Sequence, residues 1–204
     1  QGEGGIYPLS AEFARRAREL ADEHDALLIL DEIQCGVGRP GKYFAYQLAE
    51  PAIMPDVVAA AKPLGGGLPL GAIMANERAA AGLPAGMHGT TFGGGPLVCR
   101  VALEVLDVIR ERLLHIHHVG GYFRMELQSL ARRFPFIKEV RGYGLMIGME
   151  LDVPGKQIVT DGMAEGLLFN CTHDTVLRFL PPYIITEQEV ARALKIITRL
   201  LKKL

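Results

Sequence analysis

The sequence contains no tryptophan and only three cysteines, Cys35, Cys99 and Cys171, in 204 residues. An odd number of widely spaced cysteines without a C-x-x-C pair argues against a disulfide framework and against a zinc site. No apolar run approaches the ~18 residues that a membrane-spanning helix needs. We therefore expect a protein of a reducing compartment, the cytoplasm, with no bound metal and no membrane partner.

An excess of charge is also missing. The 22 basic and 23 acidic residues give a formal net charge of -1, and both signs are interleaved along helix-like stretches. A nucleic-acid-binding protein usually carries a basic patch, so this balance predicts no nucleic-acid partner. The 49% of hydrophobic residues is typical of a globular protein with one large or two small cores.

The first half of the chain alternates between helix and strand patterns. Apolar residues at helical spacing predict an amphipathic helix over residues 10–23, and continuous apolar runs predict strands over 26–30, 56–61 and 70–75. A continuous apolar run is typical of a strand buried on both faces, as in a parallel sheet. This alternation favours an α/β fold with a layered sheet.

The second half has a different pattern. A long helix is predicted over residues 96–114, and the histidines and glycines of 115–121 are expected to end it. A second helix, three short strands and a terminal helix that begins at a Thr186-x-x-Glu189 capping box are predicted to follow. The prediction is therefore a large domain that includes residues 1–114 and a small α+β domain of residues 115–204.

Three polar side chains come directly after predicted strands. Asp31 ends the first strand, Gln34 lies in the same turn, and Lys62 ends the second strand before Pro63 and three glycines. Ligands of open α/β sheets bind at the carboxyl ends of strands. Taken singly, an aspartate here is more often a turn or cap residue, and a lysine is more often a solvated loop residue.

Together the three residue types suit one cofactor chemistry. A lysine amine can form a Schiff base with an aldehyde cofactor. A carboxylate beside a pyridine nitrogen keeps that nitrogen protonated, which makes the ring a better electron sink, and an amide can donate to the ring's phenolic oxygen. Glycines next to the lysine let the backbone approach the cofactor closely.

The order and spacing of five motifs resemble the class III aminotransferases along essentially the whole chain. The motifs occupy residues 1–5, 30–36, 61–67, 88–97 and 176–182. The resemblance implies a pyridoxal-phosphate-dependent transferase of fold type I, with part of its large domain and its smaller C-terminal domain present. Within the family, the stretch from Asn170 to Thr172 and on to Pro182 is most similar to the members that act on N-acetylornithine.

The same resemblance implies roles for individual residues. Lys62 would bind pyridoxal 5'-phosphate covalently and transfer the proton during catalysis; Asp31 would pair with the pyridine nitrogen and Gln34 with the ring oxygen O3′. Thr91, with its neighbour Thr90, would contact the cofactor phosphate in the partner subunit of a homodimer. Without the motif, these threonines would be interpreted as turn hydroxyls.

For the substrate, the resemblance implies that Arg178 binds a carboxylate and that Glu3 neutralises Arg178 until a dicarboxylate displaces it. Without the motif, Arg178 would be interpreted as a structural ion-pair partner. The implied reaction moves the amino group of N-acetylornithine to 2-oxoglutarate in arginine biosynthesis. Ornithine, succinylornithine, 4-aminobutyrate and other ω-amino acids remain alternative donors, and a truncated, non-catalytic dimerisation fragment remains an alternative function.

Two features depart from the family pattern. Gly95 replaces a usual asparagine and Cys35 replaces a common threonine, which puts a thiol near the cofactor. The chain also begins within a loop and without methionine, and family members are roughly twice as long. We therefore expect a fragment whose activity needs an N-terminal half that completes the cofactor site.

Overall fold

The computed structural model describes all residues from Gln1 to Leu204. The chain forms five α-helices and seven strands, with two short 3-10 helices. In chain order the elements are α1 (Ala11–Glu23), β1 (Ile29–Asp31), a 3-10 helix (Ala45–Leu48), β2 (Val57–Ala60), a 3-10 helix (Lys62–Gly65), β3 (Ala72–Ala75), α2 (Glu77–Ala81), α3 (Pro96–Ala131), β4 (Ile137–Tyr143), β5 (Met146–Leu151), α4 (Lys156–Ala164), β6 (Asn170–Thr172), β7 (Val176–Phe179) and α5 (Glu187–Leu201). Mixed α/β structure, as predicted, is confirmed.

The chain divides into two compact units. We call one the lysine unit, because it contains Lys62; it comprises Leu9–Gly38 and Lys42–Glu111. The other, which contains Arg178 and is called the arginine unit, comprises Gln1–Pro8, Arg39–Gly41 and Arg112–Leu204. Compact units need not coincide with domains, so the division into domains 1–114 and 115–204 stays a prediction.

The lysine unit is built on a three-stranded sheet in the order β1-β2-β3. Strands β1 and β2 are parallel, with Asp31 opposite Ala59, and β3 joins β2 in antiparallel register. Helix α1 begins where predicted, because the Ser10 hydroxyl accepts a hydrogen bond from the Phe13 amide at 3.1 Å. The sheet thus places the carboxyl ends of two neighbouring strands side by side.

Much of the apolar surface of the lysine unit is exposed. The strand predicted over residues 26–30 is observed at Ile29–Asp31, and the expectation that it is buried on both faces is wrong, since Leu27 is 43% and Ile29 is 60% exposed. Of the apolar face predicted for α1, Phe13 and Leu20 are exposed, whereas Ala21 is buried. The physical reason is that no second layer of the lysine unit packs on the exposed side chains.

The arginine unit contains a four-stranded antiparallel sheet in the order β4-β5-β7-β6. One face of this sheet packs on helices α3, α4 and α5 and forms the hydrophobic core. The predicted terminal helix is confirmed, with Thr186 and Glu189 in a reciprocal capping box and Val190, Leu194 and Ile197 buried. Strand β4 went unpredicted, because charged and glycine residues interrupt its apolar pattern.

Helix α3 continues through the segment that was expected to end it. The predicted break at residues 115–121 is wrong, since α3 is one helix of 36 residues. Gly120 lies where a Cβ would come within 2.2 Å of the Gly144 carbonyl oxygen, whereas a Cβ on Gly121 would meet nothing within 4 Å. Gly120 therefore allows α3 to lie close to the turn between β4 and β5 rather than ending the helix.

Candidate active site

Asp31 and Lys62 lie at the same edge of the three-stranded sheet. Asp31 is the last residue of β1 and is paired with Ala59 of β2, and Lys62 follows the end of β2. The Asp31 Oδ1 accepts a hydrogen bond from the Ile33 amide at 3.0 Å, and its side chain is otherwise exposed. The parallel register therefore brings these two predicted residues to one edge.

Gln34 lies in the turn that follows β1, as predicted. Its side-chain oxygen Oε1 is buried and has no hydrogen-bond partner. A buried amide oxygen without a partner is costly and usually marks a functional site or a missing group. Gln34 is thus available to a ligand at the edge that carries Asp31 and Lys62.

Lys62 occupies an unusual backbone conformation at the start of a 3-10 turn. Its φ is 40°, in the left-handed region that non-glycine residues adopt only at a cost in free energy. Its side chain is exposed. In the same turn, a Cβ on Gly66 would lie 2.6 Å from a methyl group of Val105, so glycine allows the loop to pack on α3.

Glu32, the neighbour of Asp31, has a structural role that the sequence did not reveal. Its buried carboxylate accepts hydrogen bonds from the amides of Ala45 and Tyr46, both at 2.8 Å. Burial, together with the negative charge of Glu32, raises the pKa of the Cys35 thiol to about 12. Cys35 is therefore a protonated thiol at neutral pH and a poor nucleophile.

Thr90 and Thr91 lie in the exposed connection between α2 and α3. Neither forms a hydrogen bond with Asp31, Gln34 or Lys62. Of the residues predicted for the cofactor site, Asp31, Gln34 and Lys62 lie at one edge of the sheet, and the two threonines lie in this connection. This arrangement leaves both hydroxyls accessible to another chain.

Arg178 is buried in strand β7 of the arginine unit, where it is only 8% exposed. Its Nε donates to the Asn170 side-chain oxygen at 3.0 Å, and its Nη1 donates to Glu3 Oε1 at 2.5 Å. The Glu3 side chain is 78% exposed. The pair thus joins a fixed, buried cation to a carboxylate that is mostly in solvent. Such a carboxylate can be displaced by another anion.

Two further residues hold the segment that carries Glu3. Thr172 donates its hydroxyl hydrogen bond to the Glu3 carbonyl oxygen, and Arg141 donates from Nε to the carbonyl oxygens of Gly5 and Ile6. Neither residue was predicted from the sequence. A strand prediction over residues 137–143 would have placed Val140 and Arg141 on opposite faces of the sheet.

The described residues contain no helix that is both long and apolar enough to cross a bilayer. They also contain no cluster of three or more histidine, cysteine or acidic side chains that could hold a metal ion.

Comparison with known proteins identifies the family. The profile of "Aminotransferase class-III" matches residues 1–201. The acetylornithine aminotransferase of Aquifex aeolicus is 44% identical over 201 residues, which are 98% of this chain and 52% of that protein.

Two similar solved structures are of aminotransferases whose names give different amino donors. N-acetylornithine aminotransferase from Stenotrophomonas maltophilia K279a matches 100% of this chain and 54% of its own, with a TM-score of 0.88 and 37% identity. Ornithine aminotransferase from Toxoplasma gondii ME49 matches 100% of this chain and 49% of its own, with a TM-score of 0.92 and 35% identity. The chain thus spans about half the length of the curated relatives that it matches. It belongs to the class-III aminotransferases.

Proposed function

We propose that the protein is an acetylornithine aminotransferase, which transfers the amino group of N-acetylornithine to 2-oxoglutarate in arginine biosynthesis. The observation that carries the proposal is the edge of the sheet that β1 and β2 share. Asp31 ends β1, Gln34 lies in the turn after β1, and Lys62 follows β2. The name of the Aquifex aeolicus relative supports N-acetylornithine as the donor.

The residues at this edge fit the cofactor of the family. Class III aminotransferases use pyridoxal phosphate, which when bound supplies an electron sink for the carbon that loses its proton. The exposed Lys62 amine, the Asp31 carboxylate and the Gln34 side-chain amide, whose NH2 group can donate to a ring oxygen, are the groups that such a ring needs. We assign Lys62 to covalent attachment, Asp31 to the ring nitrogen and Gln34 to O3′.

Each residue then has a defined task in the reaction. Lys62, once its amine is neutral, would carry the proton between the reacting carbon of the substrate and the cofactor. Asp31 keeps a proton on the ring nitrogen through its negative charge. Arg178 binds a substrate carboxylate with its planar guanidinium, which suits two parallel hydrogen bonds.

Glu3 gives Arg178 two states. While Glu3 is bonded to Arg178, the arginine charge is neutralised and a donor with one carboxylate is accepted. A dicarboxylate such as 2-oxoglutarate displaces the exposed Glu3 side chain and takes its place. This exchange lets one site accept two substrates of different charge in turn.

We also propose a cytoplasmic homodimer with shared active sites. Thr90 and Thr91 lie in an exposed connection, and Phe92 beside them is 92% exposed, which favours contact with a second subunit. In this arrangement Thr91, with Thr90, binds the cofactor phosphate of the partner subunit. All three cysteines are free thiols, in keeping with a reducing compartment.

The test of the cofactor assignment uses the full-length protein with Lys62→Ala. We expect loss of the cofactor's visible absorbance band, loss of the pyridoxyl peptide after borohydride reduction, and a fall in kcat of about 10²- to 10⁴-fold or more. Lys42→Ala, at an exposed lysine of the same unit, is the matched control and should keep all three. A pyridoxyl adduct that persists in Lys62→Ala would show that another lysine holds the cofactor.

Ornithine is the second candidate donor, favoured by the TM-score of 0.92 with the Toxoplasma gondii enzyme. The two donors differ in the acetyl group on the α-amine, so kcat/KM values of the full-length protein separate them. We expect N-acetylornithine to be preferred by about tenfold or more. A preference for ornithine would assign the protein to that activity, and activity with neither would favour the non-catalytic alternative.

A further inference from the structure

The outer face of the four-stranded sheet carries two arginines in one cross-strand row. Arg141 of β4 pairs with Gly148 of β5, and Gly148 pairs with Arg178 of β7. Directly opposed residues of antiparallel strands point to the same face, and each strand adds about 4.8 Å, so the two arginines stand roughly 10 Å apart. The core lies on the opposite face, where Val140, Met149 and Leu177 are buried.

A short segment crosses this face above the row. We call residues 1–8 the strap. Ile6 of the strap is 3% exposed, and a Cβ on Gly148 would lie 3.0 Å from the Ile6 Cβ, so the absence of a side chain at Gly148 makes room for Ile6. Ile6 has a φ of 56°, which is unfavourable for a β-branched residue and needs contacts that hold it.

Arg141 supplies those contacts. Its Nε donates to the carbonyl oxygens of Gly5 at 2.9 Å and Ile6 at 3.1 Å, and its guanidinium carbon lies 3.7 Å from the centre of the Tyr7 ring. Gly5 has a φ of 109°, and a Cβ there would lie 3.2 Å from Arg141 Nη2. Three consecutive strap residues are therefore fitted to one side chain.

Arg141 is itself held by two carboxylates. Its Nη1 donates to Glu139 at 2.9 Å and to Glu150 at 2.5 Å, and the Tyr7 hydroxyl donates to the same Glu150 oxygen at 3.1 Å. These bonds, with that to Arg141 first, lower the pKa of Glu150, which stays charged at neutral pH. The remaining Nη2 is buried without a partner, so Arg141 presents no accessible group to a substrate.

The strap is fixed a second time at Glu3. The Thr172 hydroxyl donates to the Glu3 carbonyl oxygen, and the Glu3 side chain reaches Arg178. Two anchors thus fix the backbone on which Glu3 is carried, and the exposed carboxylate of Glu3 is the only part that must move when a substrate carboxylate arrives.

We propose that Arg141 is a positioning residue, which through the strap sets how strongly Glu3 competes with a substrate for Arg178. The inference rests on the proposed function. A firmly held strap keeps Glu3 on Arg178 and favours donors with one carboxylate. A loosened strap leaves the positive charge of Arg178 unpaired and favours dicarboxylates.

The test compares two amino donors in full-length Arg141→Lys, which keeps the charge but lacks the planar fork. The measured quantity is kcat/KM for glutamate divided by kcat/KM for N-acetylornithine. We expect this ratio to rise about tenfold, since glutamate needs the charged Arg178. A purely structural role would lower both constants together and leave the ratio unchanged, which would overturn the proposal. Arg199→Lys, in an exposed ion pair with Glu165 of the same unit, is the matched control.

A double-mutant cycle shows whether Arg141 acts through Glu3. Glu3→Gln alone should raise the same ratio, and adding Arg141→Lys to it should change the ratio no further. A tenfold rise in the Glu3→Gln background would mean that Arg141 acts by another route. Thr172→Val, which removes the other anchor, should shift the ratio in the same direction, and this variant decides the question if Arg141→Lys does not fold.

Hydrogen exchange gives a readout that needs no activity. The strap amides of Gly5, Ile6 and Tyr7 are bonded to the carbonyls of Gly2 and Gln1 and should be protected. In Arg141→Lys we expect these amides to exchange about tenfold faster while those of β5 and β7 keep their rates. Unchanged strap exchange overturns the inference. A wild-type enzyme inactive with both donors overturns the proposed function instead.

Discussion

Asp56 is a buried carboxylate surrounded by three hydrogen-bond donors. Its oxygens accept from Arg18 Nη1 at 2.7 Å, from the Leu28 amide at 2.8 Å and from the Asn76 side chain at 2.8 Å. These bonds, with that to Arg18 first, hold the pKa of Asp56 well below its ordinary value. The carboxylate links α1, the start of β1 and the start of α2, so its charge contributes to the stability of the lysine unit.

The direction of the pKa shift fixes the pH dependence. Because the folded-state pKa lies below the unfolded value of about 3.9, the stabilisation is present above that value and is lost as the pH falls further, toward the folded pKa. Asp56→Asn should lower the free energy of unfolding by about 2–3 kcal/mol at pH 7 and flatten its decline below about pH 4.

Urea denaturation of the full-length protein at pH 7 and at acidic pH checks this expectation. Asp25→Asn is the control, because the Asp25 side chain is 95% exposed in its pair with Arg78 and should cost less than about 0.5 kcal/mol. An Asp56→Asn protein as stable as the control would contradict the role given to this carboxylate.

The positions of the proposed cofactor residues could be predicted because they follow from local sequence. Asp31 and Lys62 each end an apolar run, and parallel pairing of the two runs places them at one edge. Arg141 could not be predicted in this way, because its partners Gly5 and Ile6 lie more than 130 residues away in sequence. Glu32 and Asp31 are adjacent, and only tertiary packing shows which of them is buried.

At the scale of one element, helix α3 shows how the same residue type can serve two purposes. Gly120 is buried against the backbone of Gly144, and Gly121 is exposed with free space at its Cβ position. Adjacent glycines usually indicate a helix end, and the sequence alone cannot show that a turn from 24 residues further along packs on the helix.

This pair of glycines gives a matched test. Gly121→Ala should stabilise the full-length protein by about 0.5–1 kcal/mol, because alanine has the higher helix propensity. Gly120→Ala should destabilise it by about 1–3 kcal/mol, because the new methyl group would meet backbone atoms that cannot rotate away. Thermal unfolding of the two variants should therefore shift in opposite directions. Equal shifts would show that α3 does not lie against the turn.

At the scale of the whole molecule, the two units differ in how well they bury their apolar residues. The arginine unit has a continuous core, in which Leu145, Ile147 and Leu177 are fully buried. In the lysine unit, Met54 and Phe92 are 71% and 92% exposed. The three strands of this unit overlap the predicted runs, but the expectation of a strand buried on both faces failed here for this reason.

Large exposed apolar side chains usually mark a surface that another chain or segment covers. We therefore expect the 204 residues alone to bind the dye ANS and to form aggregates larger than a dimer as their concentration rises, and the full-length protein to bind no dye and to grow no larger than the proposed homodimer. Dye fluorescence and light scattering of both proteins at equal concentration check this. Absence of dye binding by the 204 residues would mean that they bury these side chains themselves.

The outer-face row also bears on how this protein can evolve. Along β4 and β7, a residue that packs the core is followed by an arginine on the outer face, as in Val140-Arg141 and Leu177-Arg178. If the proposed roles of the two arginines hold, we expect adjacent codons to be under different kinds of selection, one for folding and the next for substrate choice. We then expect substrate preference to change through the outward positions while the inward positions keep the domain intact.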